Sequence, residues 1–158
     1  MAQPLKASIL YAPFGDEVDF TNPSFPLGIS ADAIVVPNDK NSDPFVWAAL
    51  CVNHFKEVDQ CILVPGRKFD VYGTRHGRGH GWYDRFLSCL PREWIRIGIT
   101  TESDLSFARL SRQSWDEPMD WLLVFDAITS SWNFYDVRAY LPKKHKKIYL
   151  VREEKQAG

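Results

Sequence analysis

From Gly66 to Leu87 the chain reads Gly-Arg-Lys-Phe-Asp-Val-Tyr-Gly-Thr-Arg-His-Gly-Arg-Gly-His-Gly-Trp-Tyr-Asp-Arg-Phe-Leu, a segment rich in the residue types that bind phosphate. Gly77, Gly79 and Gly81 stand at alternate positions, where a missing β-carbon permits positive φ and close approach of the backbone to a ligand. Apolar residues at Trp82, Phe86 and Leu90 predict a helix directly after them, so successive N–H groups and the helix start can converge on one anion. Arg75 and Arg78 can add charge-assisted forks to the same oxygens, and Asp84 can hold a divalent cation against them. By composition alone the segment reads equally as a plain surface loop with tight glycine turns. By position alone Asp84 reads equally as a helix cap or a partner of Arg85.

The spacing departs from the common phosphate loops. A Walker A loop ends in Gly-Lys-Ser/Thr, and a dinucleotide fingerprint places its third glycine three residues after the second. His76 and His80 are four apart, but a zinc pair at that spacing needs a helix, and glycines at 77, 79 and 81 do not supply one.

Taken whole, Val64-Pro65-Gly66-x-x-Phe69-Asp70-x-x-Gly73-x-Arg75-x-Gly77-Arg78-Gly79-x-Gly81-x-Tyr83-Asp84-Arg85-Phe86-Leu87 strongly resembles the signature of the 5-formyltetrahydrofolate cyclo-ligases, also called methenyltetrahydrofolate synthetases. Two weaker resemblances flank it in the family's order. Leu10 to Asp19 is similar to the strand and loop that end in a folate-contacting glutamate, here Glu17. Ile97-Gly98-Ile99 and Trp115 to Trp121 are similar to the late strand and closing Asp-x-x-x-Asp segment. The resemblance implies an ATP- and magnesium-dependent conversion of 5-formyltetrahydrofolate to 5,10-methenyltetrahydrofolate. Arg78 and Asp84 would be catalytic, with Asp84 beside the metal. Arg75, Gly77, Arg78, Gly79, His80, Gly81, Trp82 and Tyr83 would hold the nucleotide phosphates, Arg75 by bracing the loop, and Glu17 with Tyr83 would hold the folate.

Some positions differ from the family pattern. His80 stands where lysine is usual, His76 where leucine is usual, and Arg67-Lys68 where a small or apolar pair is usual. The family carries a helix-borne Lys-x-x-x-Arg-like pair ahead of its first strand, whereas Lys6 is the only basic residue before Tyr11 here. Asn38 to Asp59 is short where the family has an additional folate-lining segment. Two functions are therefore carried forward: a short, divergent cyclo-ligase, or a non-catalytic nucleotide- or folate-binding protein on the same scaffold.

The elements that must position these residues follow from the apolar pattern. Ser8–Tyr11, Ala33–Pro37, Cys61–Val64, Trp94–Ile99 and Trp121–Phe125 read as strands, and Trp82–Leu90 as a helix. Asp39–Asp43 reads as a polar turn. Ser42 or Asp43 can cap a helix opened by Pro44 and running to about Phe55, apolar nearly all round and expected to be buried. The alternation predicts an α/β domain, three-layer and Rossmann-like, with a mainly parallel sheet spanning residues 1–158 as one unit. A terminal hairpin of Trp132–Val137 with Lys147–Val151 is expected.

The chain has 158 residues, 45% hydrophobic and 25% charged, enough to bury a core without disulfides. Cys51, Cys61 and Cys89 lie in apolar elements with no Cys-x-x-Cys pair, so buried reduced thiols are expected. A net charge of −1 gives no general attraction to nucleic acid, and the basic run Lys143–Lys147 is partly cancelled by Glu153 and Glu154. No apolar run approaches a bilayer span and the start lacks a signal-peptide core, so a cytoplasmic monomer or homodimer without membrane partners is expected.

Overall fold

A strand such as Cys-Ile-Leu-Val has no polar face to offer water, so it is stable only where both of its faces are covered. That requirement shapes the architecture. The computed structural model describes residues 2–13, 15, 17–21, 24–37, 41–138, 143–145 and 149–151, of which 2–4, 143–145 and 149–151 are described by backbone alone. In chain order the elements are β1 (Ala2–Pro4), β2 (Lys6–Tyr11), β3 (Gly28–Val36), α1 (Pro44–His54), β4 (Cys61–Val64), β5 (Lys68–Asp70), β6 (Arg75–His76), α2 (Trp82–Ser88) and β7 (Ile95–Thr101). A 3-10 turn at Glu102–Asp104 leads to β8 (Leu105–Ser106), β9 (Trp121–Asp126), β10 (Ser131–Asp136), β11 (Lys143–His145) and β12 (Tyr149–Val151).

The main sheet has the order β11-β10-β9-β7-β4-β2-β3. It is parallel from β3 to β9 and antiparallel where β10 and β11 are added. The α/β class with a mainly parallel sheet is therefore as the sequence predicts. Every residue of β4 is buried, and so is every residue of β7 before Thr101. The connections through α1 and α2 step in the same direction along the sheet, so right-handed crossovers put both helices on one face, where they pack together. The β2–β3 connection steps the other way and covers the opposite face with aromatic residues. Phe20 meets Tyr11 edge-on at 5.1 Å, and Phe25 meets Trp132 at 5.3 Å.

Four expectations need correction. Helix α1 begins as predicted, with the Asp43 carboxylate accepting from the Phe45 N–H at 2.9 Å, but it is not buried all round. It buries Pro44, Ala48 and Cys51, while Phe45, Val46, Leu50 and Val52 remain exposed. The helix lies between the edge strand β3 and β4, where only one of its faces has anything to pack on. Cys89 is exposed rather than buried, because α2 ends at Ser88 and Cys89 caps it. The strand read as Ala33–Pro37 begins earlier, at Gly28, and ends at Val36.

The fourth concerns the terminal hairpin. A tight turn, in which Asp126 accepts from the Ile128 N–H at 3.0 Å, folds β10 back onto β9. The other edge of β10 takes Lys143–His145, and Tyr149–Val151 pairs instead with Ala2–Pro4. Residues 38–40 of the predicted polar turn and residues 146–147 of the basic run lie outside the described residues. Among the described residues no helix is long and apolar enough to cross a membrane.

Candidate functional site

The segment after β4 is more ordered than a bare glycine loop. Strands β5 and β6 form an antiparallel pair, and β5 also pairs in parallel with β8. Asp70 organises this unit: fully buried, it accepts from the N–H groups of Tyr72 and Thr74 at 2.9 Å each and of Leu110 at 2.8 Å. Sequence reasoning had given Asp70 no role beyond its place in the motif. Gly73 at the turn has φ of +91°, and a β-carbon there would stand 2.8 Å from the Met119 carbonyl oxygen. Phe69 packs directly on Gly98 of β7, which joins this unit to the main sheet.

Arg75 faces inward from β6. Its Nε donates to the Pro65 carbonyl, and its guanidinium carbon lies 4.9 Å from the centre of the Tyr83 ring. The guanidinium also occupies the space a β-carbon on Gly77 would need, 2.8 Å away. Arg75 thus ties the Pro65 carbonyl, the Tyr83 ring and the turn at Gly77 together. Burial pulls its pKa below the usual arginine range, opposed by Tyr83, Asp84 and Glu17. Beyond Gly77 the backbone turns through positive φ at Gly79 and again at Gly81, which directly precedes α2.

Glu17 approaches from the β2–β3 connection. Just beyond it, the Tyr11 hydroxyl donates to the Val18 carbonyl at 2.6 Å and fixes this stretch to the end of β2. The Glu17 carboxylate, 7% exposed, stands 3.6 Å from the Arg78 guanidinium, which is 34% exposed. Burial, reinforced by Glu17, pushes the Tyr11 hydroxyl well above the usual tyrosine range.

Asp84 is half-buried in the first turn of α2. Its Oδ1 accepts from the Glu117 N–H at 3.0 Å. Burial raises its pKa above the usual carboxylate range, against the lowering effects of that hydrogen bond and of Arg75. Arg96, buried on β7, donates to Glu117 Oε1 at 2.6 Å and to the Leu87 carbonyl at 3.0 Å, so the segment carrying Glu117 is fixed to both α2 and the sheet. The two aspartates of the closing segment diverge. Asp116 lines the same cavity as Asp84, whereas Asp120 accepts from the Arg96 N–H at 2.9 Å and supports β7.

Glu17 and all the residues predicted between Arg75 and Asp84 line one cavity of about 760 Å³. Their contributions differ. Gly79 and His80 are exposed, and Tyr83 is buried with a hydroxyl that has no hydrogen-bond partner among the described residues. Trp82 is also buried, stacked on Phe86 at 5.2 Å, with its indole N–H donating to the Ser42 carbonyl at 2.8 Å. His76 lines the cavity from β6, its Nε2 2.7 Å from the Ser111 carbonyl. Arg67 and Lys68 stand exposed on the rim.

A second cavity of about 360 Å³ shares Glu17, Gly66, Arg67, Arg78 and Asp104 with the first and reaches Thr100 and Thr101 at the end of β7. Sequence reasoning missed Thr100, Thr101 and Asp104, and it missed Asp116 as a lining residue. The available signal was position: ligands of open α/β sheets bind beyond the carboxyl ends of the strands.

The family model of the 5-formyltetrahydrofolate cyclo-ligase family matches residues 49–124. A 5-formyltetrahydrofolate cyclo-ligase of Mycoplasma pneumoniae is 30% identical over 124 residues, covering 75% of this chain and 73% of that protein. The chain belongs to the 5-formyltetrahydrofolate cyclo-ligase family. A cyclo-ligase of Mycoplasma genitalium is 32% identical over 63 residues, an alignment that spans 40% of this chain and 37% of that relative. The solution structure of Aquifex aeolicus 5,10-methenyltetrahydrofolate synthetase superposes with a TM-score of 0.51 at 26% identity, covering 89% of this chain and 76% of that one. The glycine segment and Asp84 lie inside the cyclo-ligase match, and Glu17 lies outside it.

Proposed function

We propose that this chain catalyses the ATP- and magnesium-dependent conversion of 5-formyltetrahydrofolate to 5,10-methenyltetrahydrofolate. The observation that carries this reading is the convergence of Glu17, the glycine segment and Asp84 on one cavity in a member of the cyclo-ligase family. In that chemistry the N5-formyl oxygen takes the γ-phosphate of ATP, N10 closes on the activated carbon and phosphate leaves, with magnesium offsetting the phosphate charge.

The side chains present suit those ligands. Asp84 has one carboxylate oxygen bound to the Glu117 N–H and a second left for a cation, and Asp116 adds another oxygen donor on the same wall. Magnesium suits one or two carboxylates completed by phosphate and water. Arg78 neutralises phosphate at the cavity mouth, while Gly77 and Gly79 let the backbone approach it. Arg75, committed to Pro65 and Tyr83, keeps the loop shaped for this. Glu17 accepts from N–H groups of the pterin, and Tyr83 lines the same cavity. The protein acts by positioning and charge neutralisation, with no covalent intermediate on the chain.

The test is incubation of the purified chain with 5-formyltetrahydrofolate, ATP and magnesium, following 5,10-methenyltetrahydrofolate by absorbance and ADP by chromatography. Stoichiometric appearance of both is expected. Binding of both ligands without turnover would establish the non-catalytic reading instead.

A further inference from the structure

Between β8 and β9, residues 107–120 run without helix or strand, yet this stretch supplies part of the wall of the large cavity. An irregular segment of that length loses much conformational entropy on ordering, so specific contacts must hold it. Its first half is tied to the β5–β6 unit. The Leu110 N–H reaches Asp70, and His76 Nε2 stands 2.7 Å from the Ser111 carbonyl. Ser111 and Gln113 line the cavity, whereas Arg112 between them turns to residues 72–74. Its Nε and Nη2 donate to Thr74 Oγ1 at 3.1 and 2.9 Å, and Nη2 also donates to the Tyr72 carbonyl at 2.9 Å.

The residues after Arg112 give this anchor its consequence. The Gln113 N–H donates to Asp116 Oδ2 at 2.8 Å, and the Asp116 N–H donates back to the Gln113 carbonyl at 3.1 Å. The Asp116 carboxylate is therefore oriented by the residue next to Arg112. One position further along, the Glu117 N–H holds Asp84 Oδ1. Both carboxylates of this wall thus take their direction from one segment, and where that segment is pinned decides how they stand to each other. Magnesium tolerates little error in the placement of its oxygen ligands.

We propose that Arg112 is a positioning residue for the magnesium nucleotide: its fork to Thr74 and Tyr72 fixes the segment that sets Asp116 against Asp84. This rests on the magnesium reading given above and adds to it a residue that touches neither cation nor phosphate.

Calorimetric titration of the full chain with ATP, in the presence and absence of magnesium, tests the inference. In Arg112→Ala the factor by which magnesium raises ATP affinity is expected to fall about tenfold, the usual cost of removing a group that orients metal ligands. Affinity for ATP without magnesium is expected to be unchanged, which neither general loosening of the fold nor loss of a phosphate contact would produce. Thr74→Val should lower the same factor, and the double variant should lose no more than Arg112→Ala alone, because both changes break one contact. Arg112→Lys keeps the charge without the planar fork and should recover only part of the factor. An unchanged factor in Arg112→Ala, an equal loss with and without magnesium, or complete recovery by lysine overturns the proposal and leaves the magnesium reading standing. A parent chain whose ATP affinity does not respond to magnesium overturns both.

Discussion

Arg78 and Glu17 lie 3.6 Å apart, so the cation assigned to phosphate and the carboxylate assigned to the pterin hold each other at the junction of the two cavities. The pairing makes their substitutions opposite in sign for the nucleotide. Arg78→Ala should weaken ATP binding by about 1.5–3 kcal/mol, the loss of a hydrogen bond to a charged group. Glu17→Gln removes the anion that competes for Arg78, so ATP affinity should hold or rise while 5-formyltetrahydrofolate affinity falls. Separate calorimetric titrations check this, and a Glu17→Gln variant that weakens ATP as strongly as Arg78→Ala would contradict the division of labour.

The raised pKa of Asp84 sets a pH dependence whose sign is fixed. A carboxyl with a folded-state pKa above its unfolded value stabilises the fold at low pH and loses that contribution as pH rises through the folded value. Ligand-free Asp84→Asn should therefore melt at the same or a higher temperature than the parent at neutral pH, since asparagine keeps the acceptor for the Glu117 N–H. A bound cation needs the ionised form. The gain in ATP affinity on adding magnesium should vanish in Asp84→Asn, and in the parent it should fade with acidification beginning above the ordinary carboxylate range. Titrations with and without magnesium across that range decide it.

Gly98 has no room for a side chain, because a β-carbon there would lie 2.4 Å from the ring of the fully buried Phe69. Gly98→Ala should destabilise the protein by about 1–3 kcal/mol through overpacking. A thermal melt should show the loss, and Phe69→Leu in the Gly98→Ala background should recover part of it. Recovery is the informative arm, since additive losses would mean that the two sites do not share this contact.

Arg67 and Lys68 stand exposed on the rim of the large cavity, with Arg67 also reaching the smaller one. Two adjacent cations beside an already basic loop repel each other unless an anion compensates them. Arg67→Ala combined with Lys68→Ala should sharply weaken nucleotide binding and flatten its salt dependence. The ligand-free melting temperature should stay level or rise. Equal nucleotide affinity in parent and double variant at low and moderate salt would show that both side chains merely face solvent.

Local signals made much of this protein legible in its sequence. The continuous apolar run at 61–64 could only be a covered strand, Asp43 and Pro44 mark the start of α1 through capping chemistry within one turn, and the glycine segment bears its family signature in contiguous residues. Contacts set by strand order were not legible. The all-round apolar pattern of α1 suggested burial, but β3 falls at the sheet edge and leaves Phe45, Val46, Leu50 and Val52 without a surface to pack on. Thr100, Asp104 and Asp116 enter the site because β7 takes the centre of the sheet and the following segment folds back over α2. No local pattern encodes that placement. The sequence by itself determined the glycine segment and its flanking Arg75, Arg78 and Asp84 as one contiguous candidate. The tertiary structure decided which of them face one another, because that depends on how distant strands are ordered in the sheet.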